Sequence, residues 1–494
     1  MRRWALAAVS GVGLGLAFPP FGLAPLVFVG PAGLLLAIAG ARPIVRLVSG
    51  LLFGVAFFGL LLSWVGIFGL HAWLALVLAE STFGGLFAWA AGPMLGRPFA
   101  ASFGISALWV LVMEVARGRF PLGGFPWGSL GAPLVGTPLD AAALLGGGIL
   151  VAWLAAYLAA LLTLAVRRRF RSVILGLVAV AGVVGLSVSL APHPDAASML
   201  RVALVQGDVP LPAGPSTRER TTDVLANHVS LTRTIPPGSV DVVVWPEDVV
   251  DLDTSAPSVG EPAPEPMRQL ARDLHAWFLV GVVSDAGPGR FRNSALSVDP
   301  SGIVRGTYDK TRPVPFGEYV PWRRFLGFVT ALRNVPRDMV PGRDTLPVQV
   351  AGAQVGTPIS YEVVFSRIVR GFAQRGADAI VVLTNTSSYG PGAATADQQL
   401  QVTRMRAVEL GEWVVQSAPS GISAVVDPEG RVVRRTGLFE PAIIRAAIGL
   451  ERSAAPFARF GELPVIAFAI VAVAWALGSS IADMLRPIVD NHSR

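Results

Sequence analysis

Eight apolar segments, separated by short polar or Gly/Pro-rich gaps, constrain this chain more than any other feature of its sequence. A helix that crosses the hydrocarbon core of a bilayer needs roughly 20 mostly apolar residues. Seven of the segments precede residue 195, and one lies near the C-terminus. We therefore predict an α-helical membrane domain with eight transmembrane helices. The predicted spans are residues 4–18, 23–40, 47–67, 70–95, 98–116, 139–166, 172–190 and 463–482.

The charge content of the chain supports a membrane protein. Only 15% of its residues are charged and 52% are hydrophobic, whereas about 25% of residues are charged in a typical soluble domain. The net charge is +7, but many basic residues stand in short clusters between apolar segments instead of on one folded surface. Nucleic-acid binding needs such a surface, so we expect no nucleic-acid partner.

The basic clusters also predict how the chain crosses the membrane. Cytoplasmic loops carry an excess of Lys and Arg. Clusters before the first span and in the second, fourth and sixth loops alternate as this rule requires, and the fifth loop, with Arg117 and Arg119, is the exception. We therefore predict a multi-pass protein of the plasma (inner) membrane, with both termini in the cytoplasm and residues 192–460 outside it.

The composition changes near residue 191, where acidic residues become frequent and apolar segments shorten. Beyond this point short β-branched segments alternate with helical ones, which is typical of an α/β domain. We predict three parts. Residues 1–191 form a membrane domain with seven spans, residues 192–460 form an extracytoplasmic α/β domain, and residues 461–494 form the eighth span and a cytoplasmic tail.

Three polar motifs stand at or just beyond predicted strand ends of the α/β domain, where such folds usually carry their chemistry. In the first, a buried strand runs into Pro246, which we expect to end it, and Glu247 follows. In the second, the only lysine of the chain, Lys310, enters a Pro/Gly-rich loop that carries Glu318. In the third, Ser360 lies between a predicted strand and a predicted helix.

A carboxylate, an amine and a hydroxyl together are suited to acyl transfer. The carboxylate removes a proton, the hydroxyl attacks a carbonyl carbon, and the ammonium stabilises the oxyanion that forms. Each motif alone is weak, because ordinary α/β domains also carry acids and lysines at strand ends, and a lone lysine also survives by chance on a solvated surface. The order of the three motifs and their loop chemistry are more specific.

In this order the motifs resemble the nitrilase superfamily, whose catalytic triad is Glu, Lys and Cys, and within it the apolipoprotein N-acyltransferase family. The segments 245–247, 310–321 and 360–362 carry the resemblance, together with residues 124–127 and 404–409. The resemblance extends over nearly the whole chain, with seven spans, an outer nitrilase-like domain and an eighth span.

The resemblance implies a nitrilase-like αββα sandwich beside the membrane helices, and a ping-pong reaction that uses no cofactor. An acyl chain passes from a phospholipid to the nucleophile, and then to the N-terminal amine of a diacylglyceryl-cysteine lipoprotein. Carried over to this sequence, Glu247 is the general base, Lys310 is the cation that stabilises the oxyanion, and Ser360 stands at the nucleophile position.

Further site positions follow from the same resemblance. Glu318 would support Lys310 as a second acid, and Tyr361 and Glu362 would shape and orient the site. Trp245 and Tyr389 occupy positions that would bind substrate or support the site.

The chain departs from the family at the nucleophile, where serine replaces cysteine. A hydroxyl is a far weaker acid than a thiol, whose pKa is about 8.5, and a lone carboxylate is a poor base for it. Lys310 would therefore have to contribute more to activating the hydroxyl, as a neutral amine if burial lowered its pKa. Residues 385–390 also differ from the family's usual Asn-Asp-Ala-Trp-Phe-Gly. Ser360 is a native nucleophile, an engineered replacement of cysteine, or the mark of lost catalysis, and the absence of every other cysteine favours the first of these over the second.

Two other functions are compatible with parts of the sequence. A Ser-His-Asp hydrolase needs a histidine beside Ser360, but the chain lacks a G-x-S-x-G motif there, and the α/β domain offers only His228 and His275, both on predicted helices. A catalytically weak or inactive homologue would instead be a membrane scaffold for a separate polyprenol-phosphate-mannose synthase. With five scattered histidines and no cysteine, we expect no metal site.

Overall fold

The computed structural model describes residues 1–95, 98–190, 198–209, 218–326, 330–390, 392 and 394–492. The chain divides into two compact units. One is formed by Met1–Ala191 together with Phe460–Arg494, and the other by Pro192–Arg459. Residues 191–197, where the sequence predicts the first domain boundary, lie outside the described residues.

The first unit consists of helices with predominantly apolar sequences. Its α-helices are α1 (Arg2–Leu16), α2 (Leu26–Ile38), α3 (Pro43–Leu61), α4 (Leu70–Ala90), α5 (Pro98–Trp109), α6 (Ala143–Gly146), α7 (Gly148–Val166), α8 (Phe170–Ser189) and the C-terminal helix (Leu463–His492). A π-helical turn (Val110–Ala116) continues α5, and 3-10 turns span Ser63–Phe68, Gly92–Met94, Ala132–Leu134 and Asp140–Ala142.

Several of these helices have the length and composition of membrane spans. Four segments are long and apolar enough to cross a membrane: Pro43–Leu61, Leu70–Met94, Gly148–Val166 and Phe170–Ser189. Shorter apolar helices lie at Leu26–Ile38, Ser102–Ala116 and Leu463–Ser479. The described residues therefore include the apolar helices of a membrane protein, while the count of eight spans stays a prediction. Helix α1 ends at Leu16, just before two prolines at 19 and 20 that cannot continue a helix.

Glycines let α3 pack closely against both α1 and α4. A Cβ atom on Gly50 would clash with the carbonyl oxygen of Gly84, and one on Gly11 would clash with that of Phe53. Small residues at such contacts allow close backbone packing, which stabilises helix association in lipid, where no hydrophobic effect drives it.

A buried guanidinium fixes the aromatic loop 118–130 in the same unit. Arg117 has a side chain that is 1% exposed, and its Nη1 lies 3.2 Å from Glu80 Oε2. The same nitrogen donates to the backbone oxygens of Phe125 at 2.9 Å and Trp127 at 2.6 Å. A buried charge without a partner is costly. This pairing accounts for a basic residue that does not follow the alternation of the loops.

The second unit contains two mixed β-sheets. Its strands are β1 (Met199–Gln206), β2 (Val242–Leu252), β3 (Trp277–Asp285), β4 (Arg290–Val298), β5 (Val304–Asp309), β6 (Asp338–Met339), β7 (Val348–Val350), β8 (Ala353–Gly356), β9 (Ala379–Leu383), β10 (Val414–Ser417), β11 (Ala424–Val426), β12 (Val432–Arg435) and β13 (Ala442–Gly449). The first sheet has the order β13-β1-β2-β3-β4-β5, with β6 paired to β4, and the second has the order β12-β11-β10-β9-β8-β7. Strands β1, β2 and β3 are parallel neighbours, as are β8, β9 and β10.

Helices connect or follow these strands. They are α9 (Arg218–Thr232), α10 (Met267–Leu274), α11 (Arg323–Leu326), α12 (Ser366–Gln374), α13 (Thr395–Leu410) and α14 (Pro456–Phe460). Helices α9 and α10 contact the first sheet, α12 and α13 contact the second, and the two sheets contact each other through β1 to β5 on one side and β7, β9 and β10 on the other. This layer order confirms the nitrilase-like α/β sandwich that the sequence predicts.

Strand β2 differs from its predicted course. We expected Pro246 to end the strand, but the strand continues to Leu252, and its register with β3 shifts between Trp245 and Val250. Proline is tolerated in a sheet at such a bulge, because the ladder there needs no N–H donor. Glu247 therefore lies within an irregular stretch of the strand and not beyond its end.

Candidate active site

Lys310 follows β5 directly, and its side chain is almost completely buried, with 1% of it exposed. Its Nζ donates to Glu247 Oε1 at 3.0 Å and to Glu318 Oε1 at 2.6 Å. The structure thus brings three of the predicted site residues into direct contact.

Neighbouring residues fix Glu247 in the bulge of β2. Asn293, on β4, donates from Nδ2 to Glu247 Oε1 at 2.8 Å. Trp245 is completely buried; its indole N–H donates to Thr232 Oγ1 at 2.9 Å, and its ring packs edge-on against Phe278. Trp245 therefore supports the strand that carries Glu247, and its side chain lies in the core.

The loop after β5 folds back, so that Glu318 returns to Lys310. The backbone N–H of Val314 donates to Glu318 Oε2 at 2.7 Å, and that of Phe316 donates to the carbonyl oxygen of Tyr319 at 2.8 Å. One oxygen of the carboxylate is held by its own loop and the other by the ammonium, so the carboxylate has a fixed position.

One ammonium faces two carboxylates in this cluster. Burial raises the pKa of Glu247; the charge of Lys310 opposes this shift, and the charge of Glu318 adds to it. Burial lowers the pKa of Lys310, but the two carboxylates more than reverse that effect, and the pKa is raised above its ordinary value. Lys310 is therefore an ammonium ion. Our expectation that Lys310 is a neutral amine is therefore wrong, because it considered burial but not the charges of Glu247 and Glu318.

Ser360 opens the 3-10 turn Ser360–Val364, which follows β8. Its φ of 50° lies in the left-handed region, which a non-glycine residue seldom adopts and which recurs at functional sites. Its side chain is partly exposed, and its Oγ lies 3.4 Å from Thr384 Oγ1. A bridge between Ile359 and Leu383 joins the turn to the end of β9. The nucleophile position thus stands at the carboxyl ends of two parallel strands, where α/β folds bind their ligands.

Glu362 holds the Ser360 turn against the segment that follows Lys310. Its Oε2 accepts a hydrogen bond from the backbone N–H of Ile359 at 2.8 Å, and its Oε1 accepts one from the backbone N–H of Thr311 at 2.7 Å. The side chain is completely buried. The carboxylate therefore ties two of the predicted motifs together.

Aromatic side chains complete this connection. The Tyr308 hydroxyl lies 2.8 Å from each carboxylate oxygen of Glu362, and the Tyr361 ring packs edge-on against Phe365 at 4.9 Å. Among the described residues, neither Glu247 nor Lys310 makes a hydrogen bond to Ser360. Lys310 thus contacts Glu247 directly, and Glu362 links the segment that follows Lys310 to the Ser360 turn.

Two further titratable residues, Asp248 and Tyr389, interact with the cluster of Glu247, Lys310 and Glu318. Asp248, which the sequence reading overlooked, has a φ of 62° and accepts a hydrogen bond from Asn385 Nδ2 at 3.2 Å. Burial, and then the charge of Glu247, raise the pKa of Asp248 to about 8. Burial, with the charges of Glu247 and Glu318, raises the pKa of the predicted site residue Tyr389 to about 12. A second acid directly after the predicted base is the signal that would have identified Asp248.

Neither His228 nor His275 is placed as a general base of the serine-hydrolase type. His228 uses both ring nitrogens on backbone groups: Nε2 accepts from the N–H of Gly207 at 3.2 Å, and Nδ1 lies 2.7 Å from the carbonyl oxygen of Val224. Burial lowers its pKa to about 4. His275 is exposed and caps the end of α10 in a left-handed conformation.

Comparison with known proteins gives two family matches and full-length relatives. The carbon-nitrogen hydrolase family matches residues 201–455, and the apolipoprotein N-acyltransferase N-terminal domain matches residues 10–161. An apolipoprotein N-acyltransferase from Azotobacter vinelandii is 31% identical and aligns over 98% of this chain and 96% of its own length. A Pseudomonas putida protein of the same name is 30% identical and aligns over 96% of both chains. A crystal structure of a Saccharomyces cerevisiae member of branch 10 of the nitrilase superfamily is 18% identical, covers 51% of this chain and 90% of its own, and has a TM-score of 0.38.

Proposed function

This chain belongs to the apolipoprotein N-acyltransferase family, and from that membership we propose that it transfers an acyl chain from a phospholipid to the N-terminal amine of a diacylglyceryl-cysteine apolipoprotein. The observation that carries the proposal is the buried cluster of Glu247, Lys310 and Glu318, which Glu362 joins to the Ser360 turn. This set supplies a base, a cation and a hydroxyl, as acyl transfer through an acyl-enzyme requires.

In the first half-reaction the Ser360 hydroxyl attacks the ester carbonyl carbon of the phospholipid, and Glu247 takes the hydroxyl proton. The Lys310 ammonium stabilises the oxyanion of the tetrahedral intermediate. The bond between the carbonyl carbon and the glycerol oxygen then breaks, and Glu247 returns the proton to that oxygen. The products are an acyl-serine and a lysophospholipid.

In the second half-reaction the N-terminal amine of the acceptor attacks the acyl-serine carbonyl carbon. Glu247 removes a proton from the attacking nitrogen and delivers it to Ser360 Oγ as the ester bond breaks. The raised pKa of Glu247 supports this role, because a carboxylate of higher pKa is the stronger base. Glu318 keeps Lys310 charged and in place through both steps.

We also propose eight spans, cytoplasmic termini and an extracytoplasmic second unit, on the alternation of basic loops. The chain has no cysteine, so single cysteines report topology without background. Ser255→Cys, in the second unit, should react with a membrane-impermeant maleimide in intact spheroplasts. Arg167→Cys, in the loop between α7 and α8, should react only after permeabilisation. Reversed labelling would contradict the proposed orientation.

The activity test uses the full-length protein, a phospholipid with a labelled acyl chain and a diacylated lipopeptide. We expect an acyl adduct on residue 360 by intact mass, and a triacylated product. Glu247→Gln and Ser360→Ala should abolish both, whereas Glu429→Gln, which changes an exposed carboxylate of the same unit, should not.

The scaffold alternative predicts the opposite pattern. A protein that only supports a separate polyprenol-phosphate-mannose synthase would copurify with that enzyme, form no acyl adduct, and be unaffected by Glu247→Gln. That combination of results would overturn the proposed function.

A further inference from the structure

A buried hydroxyl and a buried amide stand behind Ser360 and have no part in the steps above. Thr384 follows β9 and is 1% exposed; Gln399 lies on α13 and is 3% exposed. Thr384 Oγ1 lies 3.4 Å from Ser360 Oγ. Gln399 places its Nε2 2.8 Å and its Oε1 3.0 Å from the same Thr384 oxygen.

The backbone of Ser360 fixes the direction of these hydrogen bonds. Gln399 Nε2 lies 3.4 Å from the carbonyl oxygen of Ser360, which can only accept a hydrogen bond. The nitrogen end of the amide therefore faces both this oxygen and Thr384 Oγ1. Because the Thr384 oxygen accepts from Gln399, its own O–H remains free to donate to one of two acceptors, Gln399 Oε1 or Ser360 Oγ.

The charge on Ser360 decides between these two acceptors. In the resting enzyme Gln399 Oε1 is the nearer of the two. When Ser360 loses its proton, its Oγ becomes negative, and a hydrogen bond to a charged acceptor is shorter and roughly twice as strong as a neutral one. Rotation about one torsion turns the Thr384 hydrogen toward Ser360, and the long resting contact shortens, as catalytic hydrogen bonds commonly do once substrate is bound.

We propose that Thr384 is a further catalytic residue, which donates a hydrogen bond to the Ser360 alkoxide, and that Gln399 is the positioning residue that holds Thr384 for this purpose. This inference rests on the proposed function, since it requires Ser360 to be the nucleophile. The Ser360 proton still goes to Glu247, and the Thr384 proton stays on its own oxygen. The device offsets the weak acidity of a hydroxyl, and a thiol at position 360 would need it much less.

The experiment measures the single-turnover rate of acyl-adduct formation on residue 360 in the full-length protein with phospholipid. Thr384→Val keeps the shape of the side chain and removes the hydroxyl, while Thr384→Ser keeps the hydroxyl. We expect Thr384→Val to slow adduct formation by about 10- to 100-fold, as the loss of one hydrogen bond to a charged group does. Thr384→Ser should restore the rate to within about threefold.

The same variants in a Ser360→Cys background separate catalysis from structure. A thiol ionises near neutral pH and sulfur is a weak acceptor, so Thr384→Val should slow the cysteine enzyme by less than about threefold.

Gln399→Leu should slow the serine enzyme. The Thr384→Val/Gln399→Leu double variant should be no slower than Thr384→Val alone, because Gln399 acts through Thr384.

The possible results distinguish this inference from the proposed function. An unchanged rate in Thr384→Val, or an equal loss in the serine and cysteine backgrounds, would overturn the role of Thr384 while leaving Ser360 as the nucleophile. Independent, additive losses from Thr384→Val and Gln399→Leu would overturn the positioning role of Gln399. If the natural Ser360 enzyme forms no adduct while Ser360→Cys does, the proposed role of Ser360 and this inference fail together.

Discussion

Replacing Lys310 with methionine should disable the site and destabilise the second unit. Methionine fills a similar volume without charge. In the natural protein the ammonium lies 3.0 Å from one carboxylate and 2.6 Å from the other. At an effective dielectric constant of about 20, Coulomb's law assigns roughly 5.5 kcal/mol to the first pair and roughly 6.4 kcal/mol to the second. Desolvation offsets several kcal/mol per ion, and removing one partner of a buried pair typically costs about 3–5 kcal/mol.

The same change should abolish acyl transfer for two reasons. Loss of a group that stabilises the oxyanion costs about 10²- to 10³-fold in rate. Lys310 also opposes the rise in the pKa of Glu247 that burial causes. Without the ammonium this pKa rises further, so a smaller fraction of Glu247 is the carboxylate that acts as the base. We therefore expect a combined loss of at least about 10³-fold in the rate of adduct formation.

The pH dependence of unfolding gives the second readout for Lys310→Met. A carboxyl whose pKa is raised in the folded state contributes stability at low pH that is lost as the pH rises through the folded-state pKa. The difference in melting temperature between the natural protein and Lys310→Met should therefore widen as the pH rises above 4.5, the ordinary pKa of a glutamate such as Glu247. Lys310→Arg is the control: it restores the charge, but not the compact donor that fits this cavity, and should recover stability more than activity. A variant that forms the adduct at the natural rate, or a melting-temperature difference independent of pH, would refute this reasoning.

Three further predictions follow from the described contacts. Ser360→Cys should raise the rate of adduct formation by about tenfold or more, since a thiolate is far more accessible than an alkoxide near pH 7; a slower cysteine enzyme, measured in the same single-turnover assay, would contradict this. The pKa of Asp248 is raised to about 8, so the natural protein should lose stability as the pH rises from about 4 to about 8. Asp248→Asn should flatten the plot of melting temperature against pH. Parallel plots for the natural protein and the variant would argue against this role. Arg117→Ala should destabilise the first unit by about 3–5 kcal/mol because it leaves the buried Glu80 unpaired, as thermal unfolding in detergent would measure. Arg119→Ala, which removes a partly exposed ion pair, is the milder control.

Much of the site could be predicted because its residues are of a type that is rare in this chain or lie next to prolines and glycines that mark a loop. Lys310 is the only lysine of the chain, and a strand followed by a Pro/Gly-rich loop located both it and Glu318. The Pro246 motif located Glu247, but gave the wrong strand end, because a sequence does not show where a bulge will accept a proline. The protonation state of Lys310 required the facing carboxylates, which only the folded chain brings together.

Residues that act through tertiary contacts were not predicted. Thr384 and Gln399 are 15 positions apart, and nothing in either segment shows that their side chains meet behind Ser360. The short strands β6, β7 and β12 could not be predicted either, because two to four residues carry too little alternation to predict a strand. In the first unit, glycines and prolines shorten several helices, so an apolar segment of spanning length did not always give a helix of that length.

The left-handed serine that opens the turn after β8 has a consequence for how the protein withstands reactive chemicals. Cysteine nucleophiles are lost to sulfinic and sulfonic acids when oxidants reach them, and alkylating agents block them. A hydroxyl resists both, and this chain has no sulfhydryl to form a mixed disulfide. Such an enzyme would react more slowly than a cysteine enzyme but would stay active longer in the presence of oxidants and alkylating agents.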